Sequence, residues 1–90
     1  MPREKLQTAS EELRKAAESA TDSDLQERLH EQSDQFAQLA TADRGPDQGR
    51  LARHLNALSE IRDAASEEVA SHVDDAEEAI TAYRETVGGV

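Results

Sequence analysis

Cysteine and tryptophan are absent from this chain, and the aromatic residues are Phe36 and Tyr83 alone. Without cysteine there is no disulfide framework, no thiolate metal site and no cysteine nucleophile. No apolar run is longer than three residues. That falls short of the roughly 20 needed to span a bilayer and of the apolar stretch of a secretion signal, and Met1 to Lys5 precede neither. A cytoplasmic location is the expectation. Strict alternation of apolar and polar residues never lasts, so no strand is expected either.

Lysine is scarce too. Lys5 and Lys15 stand beside eight arginines, against twenty Asp and Glu, for a net charge of −10. An excess of carboxylates keeps a protein soluble where salt screens repulsion, and destabilises the same fold when salt is removed. Ordinary acidic helical proteins place lysine on their surfaces. This balance therefore reads as halophilic and archaeal.

Ninety residues bound the chain to one domain, which buries only about 60 to 65 per cent of its unfolded surface. Packing must be economical, and alanine fills the gaps between a few large apolar residues. Their spacing of three and four predicts helices. The first spans about 3–20 on Leu6, Ala9, Leu13, Ala16 or Ala17, and Ala20. The second spans about 22–42 on Leu25, Leu29, Gln32, Phe36 and Leu39. Between them Thr21, Asp22 and Ser23 are preferred N-caps, and Ser23 with Gln26 matches a capping box.

At mid-chain, Asp43-Arg44-Gly45-Pro46-Asp47 is the clearest break. Gly45 suits the positive φ of a helix C′ position, and Pro46 cannot extend the preceding ladder. A third helix is expected over about 47–64 on Leu51, Leu55, Leu58 and Ile61. A fourth is expected over about 67–87 on Val69, Val73, Ala76, Ile80 and Tyr83, with Ser66 as N-cap and Gly88-Gly89 at its end. The stripe centres are Leu29, Phe36, Leu55, Leu58, Ile80 and Tyr83. Shifting Leu25, Leu29, Phe36 and Leu39 by 44 positions lands on Val69, Val73, Ile80 and Tyr83, a faint internal repeat.

One helical phase also runs unbroken from Leu51 to Val87, so the alternative is three helices with one long helix over 47–87, roughly 60 Å at 1.5 Å per residue, in an obligate dimer. Segment charges favour the break. Residues 1–20 sum to zero, 21–43 to −5, 44–63 to +1 and 64–90 to −6. In an antiparallel up-down-up-down four-helix bundle the two acidic helices then sit on a diagonal, which minimises like-charge contact. That all-α bundle is the expected fold.

Bundles can house di-iron centres built from inward Glu and Glu-x-x-His. The sequence offers one match, Glu27-Arg28-Leu29-His30, offset from the apolar stripe and hence expected in solvent. Glu68 and His72 are four apart, and His54 has no Glu three residues before it. No metal, cofactor or catalytic residue is assigned. No serine lies in a Gly-x-Ser-x-Gly elbow. The pairs Asp74-Asp75 and Glu77-Glu78 belong to a solvated face, and Gly45 and Gly49 fit no phosphate-loop spacing.

Arg44, Arg50, Arg53 and His54 gather at the start of the third helix, where cations oppose the helix dipole. One reading is a contact for an anion or an acidic partner. The other is that Arg50 and Arg53 reach the acidic faces of helices two and four and fix the register, with His54 a satisfied rim residue. Direct nucleic-acid binding is disfavoured, because it needs several basic phosphate contacts. Nucleic-acid mimicry is unnecessary to explain the acidity.

Three stretches carry a resemblance: the Met1-Pro2-Arg3-Glu4 start, the midpoint from Ala40 to His54, and the closing segment Ala82-Tyr83-Arg84-Glu85-Thr86-Val87. Across essentially the whole chain they resemble a family of short, acidic, uncharacterised haloarchaeal helical proteins with no assigned activity. The resemblance implies origin and length, and transfers no functional residue. The expectation is a non-catalytic interaction or accessory protein, with a ligand- or metal-binding bundle as the alternative. Its partner would be another protein or a second copy of itself, since an Ala-rich core gains from pairing.

Overall fold

The computed structural model describes residues 3–42 and 45–88. They form four helices, α1 (Glu4–Ser19), α2 (Ser23–Thr41), α3 (Gln48–Ala64) and α4 (Glu67–Gly88). Consecutive helices run antiparallel in the expected up-down-up-down bundle. α1 lies along both α2 and α4, while α3 leans on α4 and touches α2 least. The longest axis of the molecule is 40 Å, short of what one continuous helix over 47–87 would need.

The break between α3 and α4 has a local cause. Ala65 takes an extended backbone, and the Ser66 hydroxyl accepts from the Val69 amide at 3.4 Å. Glu67 and Glu68 then place carboxylates over the positive end of α4. At the other links, aspartate caps prevail. The Asp22 carboxylate accepts from the amides of Asp24 and Leu25, and Asp47 accepts from Arg50 N at 2.7 Å.

Two local expectations are corrected. The capping box of Ser23 and Gln26 does not form: Ser23 is already helical, and Gln26 Nε2 donates to the Ala17 carbonyl at 2.8 Å. That carbonyl lies in the last turn of α1, where it also accepts from the Ala20 amide at 3.3 Å, so Gln26 joins two helix ends. Likewise, no described glycine has positive φ. Gly45 instead lies under the Tyr83 side chain, where a Cβ would stand 2.7 Å from Tyr83 Oη and the phenol would have to shift.

The expected stripes converge on one core. Leu6, Leu13, Leu29, Phe36, Leu51, Leu58, Val73 and Ile80 are fully buried, and Tyr83 is nearly so. Leu55 is the exception among the expected centres: it is only half-buried, packed at the margin of the core. The centre of the α3 stripe runs instead through Leu51, His54, Leu58 and Ile61. Both sets of the faint repeat, Leu25 to Leu39 and Val69 to Tyr83, face inward.

Two polar residues lie deep in the α1–α2 seam. Ser10 Oγ donates to the Ser33 carbonyl at 2.8 Å, and Ser33 Oγ donates to the Ser10 carbonyl at 2.9 Å. This reciprocal pair pins the register of two helices and leaves both hydroxyls satisfied. Among the described residues, no buried side-chain nitrogen or oxygen lacks a hydrogen-bond partner.

Candidate functional site

Three places hold polar groups arranged by more than one helix. At the start of α3, Arg50 and Arg53 project into solvent. Neither guanidinium has a carboxylate within 4.0 Å among the described residues. The expectation that they tie α3 to the acidic faces of α2 and α4 is therefore not met. Arg62 alone of the described arginines ties α3 to a carboxylate of α4, while Arg84 and Arg3 join helices through uncharged acceptors. Arg62 pairs in bidentate fashion with Asp74 on α4. Arg84 Nε donates to Gln48 Oε1 at 2.9 Å, and Arg3 Nη1 donates to the Leu39 and Ala42 carbonyls. Arg44, the fourth member of the expected cluster, lies outside the described residues.

His54 turns inward beside them. Its Nδ1 lies 2.8 Å from Gln32 Oε1, and its ring stacks obliquely on Phe36 with centroids 4.8 Å apart. An amide oxygen can only accept, so Nδ1 carries the hydrogen. Burial pushes the imidazole below its ordinary value of 6.5, and the positive charges of Arg50 and Arg53 push it further. Instead of the expected rim position, His54 lies on the buried face of α3, with its Nδ1 satisfied within the chain.

The Glu-x-x-His match behaves as its offset suggests, with Glu27 and His30 both exposed. The acidic run on α4 is less uniform than a solvated face. Asp74, Asp75 and Glu78 are exposed, but Glu77 is half-buried against α3 and accepts from Ser59 Oγ at 3.2 Å. Burial raises the Glu77 carboxyl above its ordinary value, and nearby Asp74 and Asp63 add to that, against the lowering by Ser59 and Arg62.

The third place lies on the α1–α4 seam. Glu12, His72 and Asp75 bring one ligand atom each to within 4.8 Å of one another. Glu12 Oε1 faces His72 Nδ1 at 3.3 Å, and Lys15 Nζ donates to Glu12 Oε2 at 3.2 Å. Partial burial alone would raise the Glu12 carboxyl. The hydrogen bonds and charges of Lys15 and His72 outweigh it and hold the group below its ordinary value. A groove of about 360 Å³ opens beside the cluster, lined by Lys5, Thr8 and Glu12 of α1 and by Asp75, Glu78 and Ala79 of α4.

Sequence reasoning missed this cluster. Its only local trace is His72 and Asp75 three apart on one helix face, since Glu12 joins them from sixty residues away. The arrangement offers oxygen and nitrogen donors at a half-exposed position with open space in front.

A model for a family of unknown function, DUF7553, matches residues 1–86, and the chain belongs to that family. No curated protein and no solved structure matches it.

Proposed function

We propose that this member of DUF7553 is a non-catalytic interaction protein that receives an acidic partner at the start of α3. One observation carries the reading. In a chain with twenty carboxylates and ten basic side chains, Arg50 and Arg53 stand one turn apart in solvent with no carboxylate in reach among the described residues. Arg14 and Arg28 also lack a carboxylate partner among the described residues, and what sets Arg50 and Arg53 apart is that two such guanidinium groups share one turn at a helix start.

The test is the double substitution Arg50→Gln/Arg53→Gln. Melting temperature should move little, because exposed charges contribute about 0 to 1 kcal/mol each. Binding of an acidic protein partner captured by the wild-type chain in molar salt should be lost. Equal capture by the double variant would refute the reading.

The surplus of carboxylates supports a halophilic, cytoplasmic setting. No described helix is long and apolar enough to cross a membrane. Screening length falls from about 10 Å at 0.1 M salt to about 3 Å at 1 M. Melting temperature should accordingly rise with KCl across that range, and a flat profile would remove the halophilic reading. Self-association is a further part of the proposal, and light scattering in molar KCl tests it.

A further inference from the structure

We propose that Glu12, His72 and Asp75 form a binding site for a divalent transition-metal ion on the α1–α4 seam, with Lys15 orienting the Glu12 carboxylate. This goes beyond the arginine surface and concerns another face of the bundle.

The geometry supports it in three ways. A metal held tetrahedrally by bonds of about 2.0 to 2.1 Å places its ligands about 3.3 to 3.4 Å from one another. Glu12 Oε1 and His72 Nδ1 already stand 3.3 Å apart, so one edge of such a tetrahedron is preformed by two helices. Asp75 is exposed and one turn beyond His72, free to close the third corner by a change of rotamer. The groove beside the cluster leaves the fourth position to water or to a small ligand.

The donor chemistry selects the ion. One imidazole with two carboxylates suits Zn²⁺, Co²⁺ or Mn²⁺ better than Mg²⁺ or Ca²⁺, which favour all-oxygen shells. Lys15 acts from behind. Its ammonium holds Oε2 and leaves Oε1 directed at the site, as partners of ligating carboxylates commonly do. On binding, the ion replaces the hydrogen bond between Glu12 and His72. The neutral imidazole then carries its hydrogen on Nε2 and gives the Nδ1 lone pair to the metal.

Calorimetric titration of the chelator-treated protein with Zn²⁺ in molar KCl is the test, with Co²⁺ absorption reporting coordination. Saturable binding at one ion per chain is expected, weakened at least tenfold by His72→Gln and by Asp75→Asn. His30→Gln, at an exposed histidine on α2, should bind as wild type does. Because Asp75 is exposed, Asp75→Asn keeps the fold, which circular dichroism checks for each variant. Absence of saturable uptake, diffuse multi-site uptake, or equal binding by the folded His72→Gln variant would each overturn the assignment.

Discussion

The seams of α1 and the seam between α2 and α3 are built on opposite plans. The buried face of α1 is Leu6, Ala9, Ser10, Leu13, Ala16 and Ala17, mostly Ala and Ser. Such a face lets the backbones of α2 and α4 approach closely along the length of α1. α3 buries Leu51, His54, Leu58 and Ile61, and its contact with α2 is the sparsest in the bundle. There the Phe36 and His54 rings stand between the helices. Close approach fixes register through small residues and the Ser10–Ser33 pair, whereas the wider seam is held by ring contact and one amide–imidazole hydrogen bond. The Ser10–Ser33 pair of the α1–α2 seam is sealed, whereas Glu12, His72 and Asp75 on the α1–α4 seam and Arg50 and Arg53 beside the wide seam reach the surface.

The largest effect that can test this contrast is truncation. Leu13→Ala, at a fully buried site of the tight seam, should cost about 2 to 5 kcal/mol by denaturant unfolding. Leu55→Ala, at the half-buried margin of α3, should cost clearly less. Equal costs would mean that the two regions are packed alike.

Enlargement sharpens the same contrast from the other side. Ala16→Leu adds volume to a fully buried position of α1 and should destabilise by about 1 to 3 kcal/mol, because close-packed helices can yield only by moving apart. A neutral result would show that α1 is not closely approached.

The smallest effect is a dependence on pH seated in the wide seam. His54 is held below the ordinary imidazole value of 6.5, first by burial and then by Arg50 and Arg53. The unfolded chain therefore takes up the proton first as pH falls. This contribution is fully present above 6.5 and is lost as pH falls through the lower folded value. Melting temperature should decline below about pH 6.5, and His54→Gln should flatten that part of the profile. An unchanged profile in the variant would remove His54 as the cause.

Much of the bundle was legible because helix formation is local. Apolar residues three and four apart mark the inward faces of Leu25 to Leu39 and of Val69 to Tyr83. Ser66 and the segment from Gly45 to Asp47 mark the ends. Segment charges of opposite tendency point to the antiparallel order. The capping assignment failed by one residue because Thr21, Asp22 and Ser23 are all good caps. In the structure Asp22 is the cap, and Gln26 turns to the Ala17 carbonyl of the neighbouring helix instead of closing a box. Leu55 was misplaced for a related reason. Periodicity gives the pitch of the α3 stripe but not its rotation, and docking against α4 put His54, rather than Leu55, toward the core.

The sequence by itself determined an all-helical chain, its mid-chain break and an acidic surface, since each follows from residue spacing, turn chemistry or formal charge, and it favoured four helices over one long helix across 47–87, a choice the extended Ala65 settled. Only the tertiary structure decided which polar groups meet. Ser10 with Ser33, Gln32 with His54, and Glu12 with His72 and Asp75 are separated along the chain and carry no shared local pattern. The same packing left Arg50 and Arg53 facing outward, because carboxylates on neighbouring helices came within reach of Arg62 but not of them. Which side chains meet depends on how far each helix turns about its own axis when the core closes. That turn is set by side-chain volume across the seams, a quantity no single segment contains.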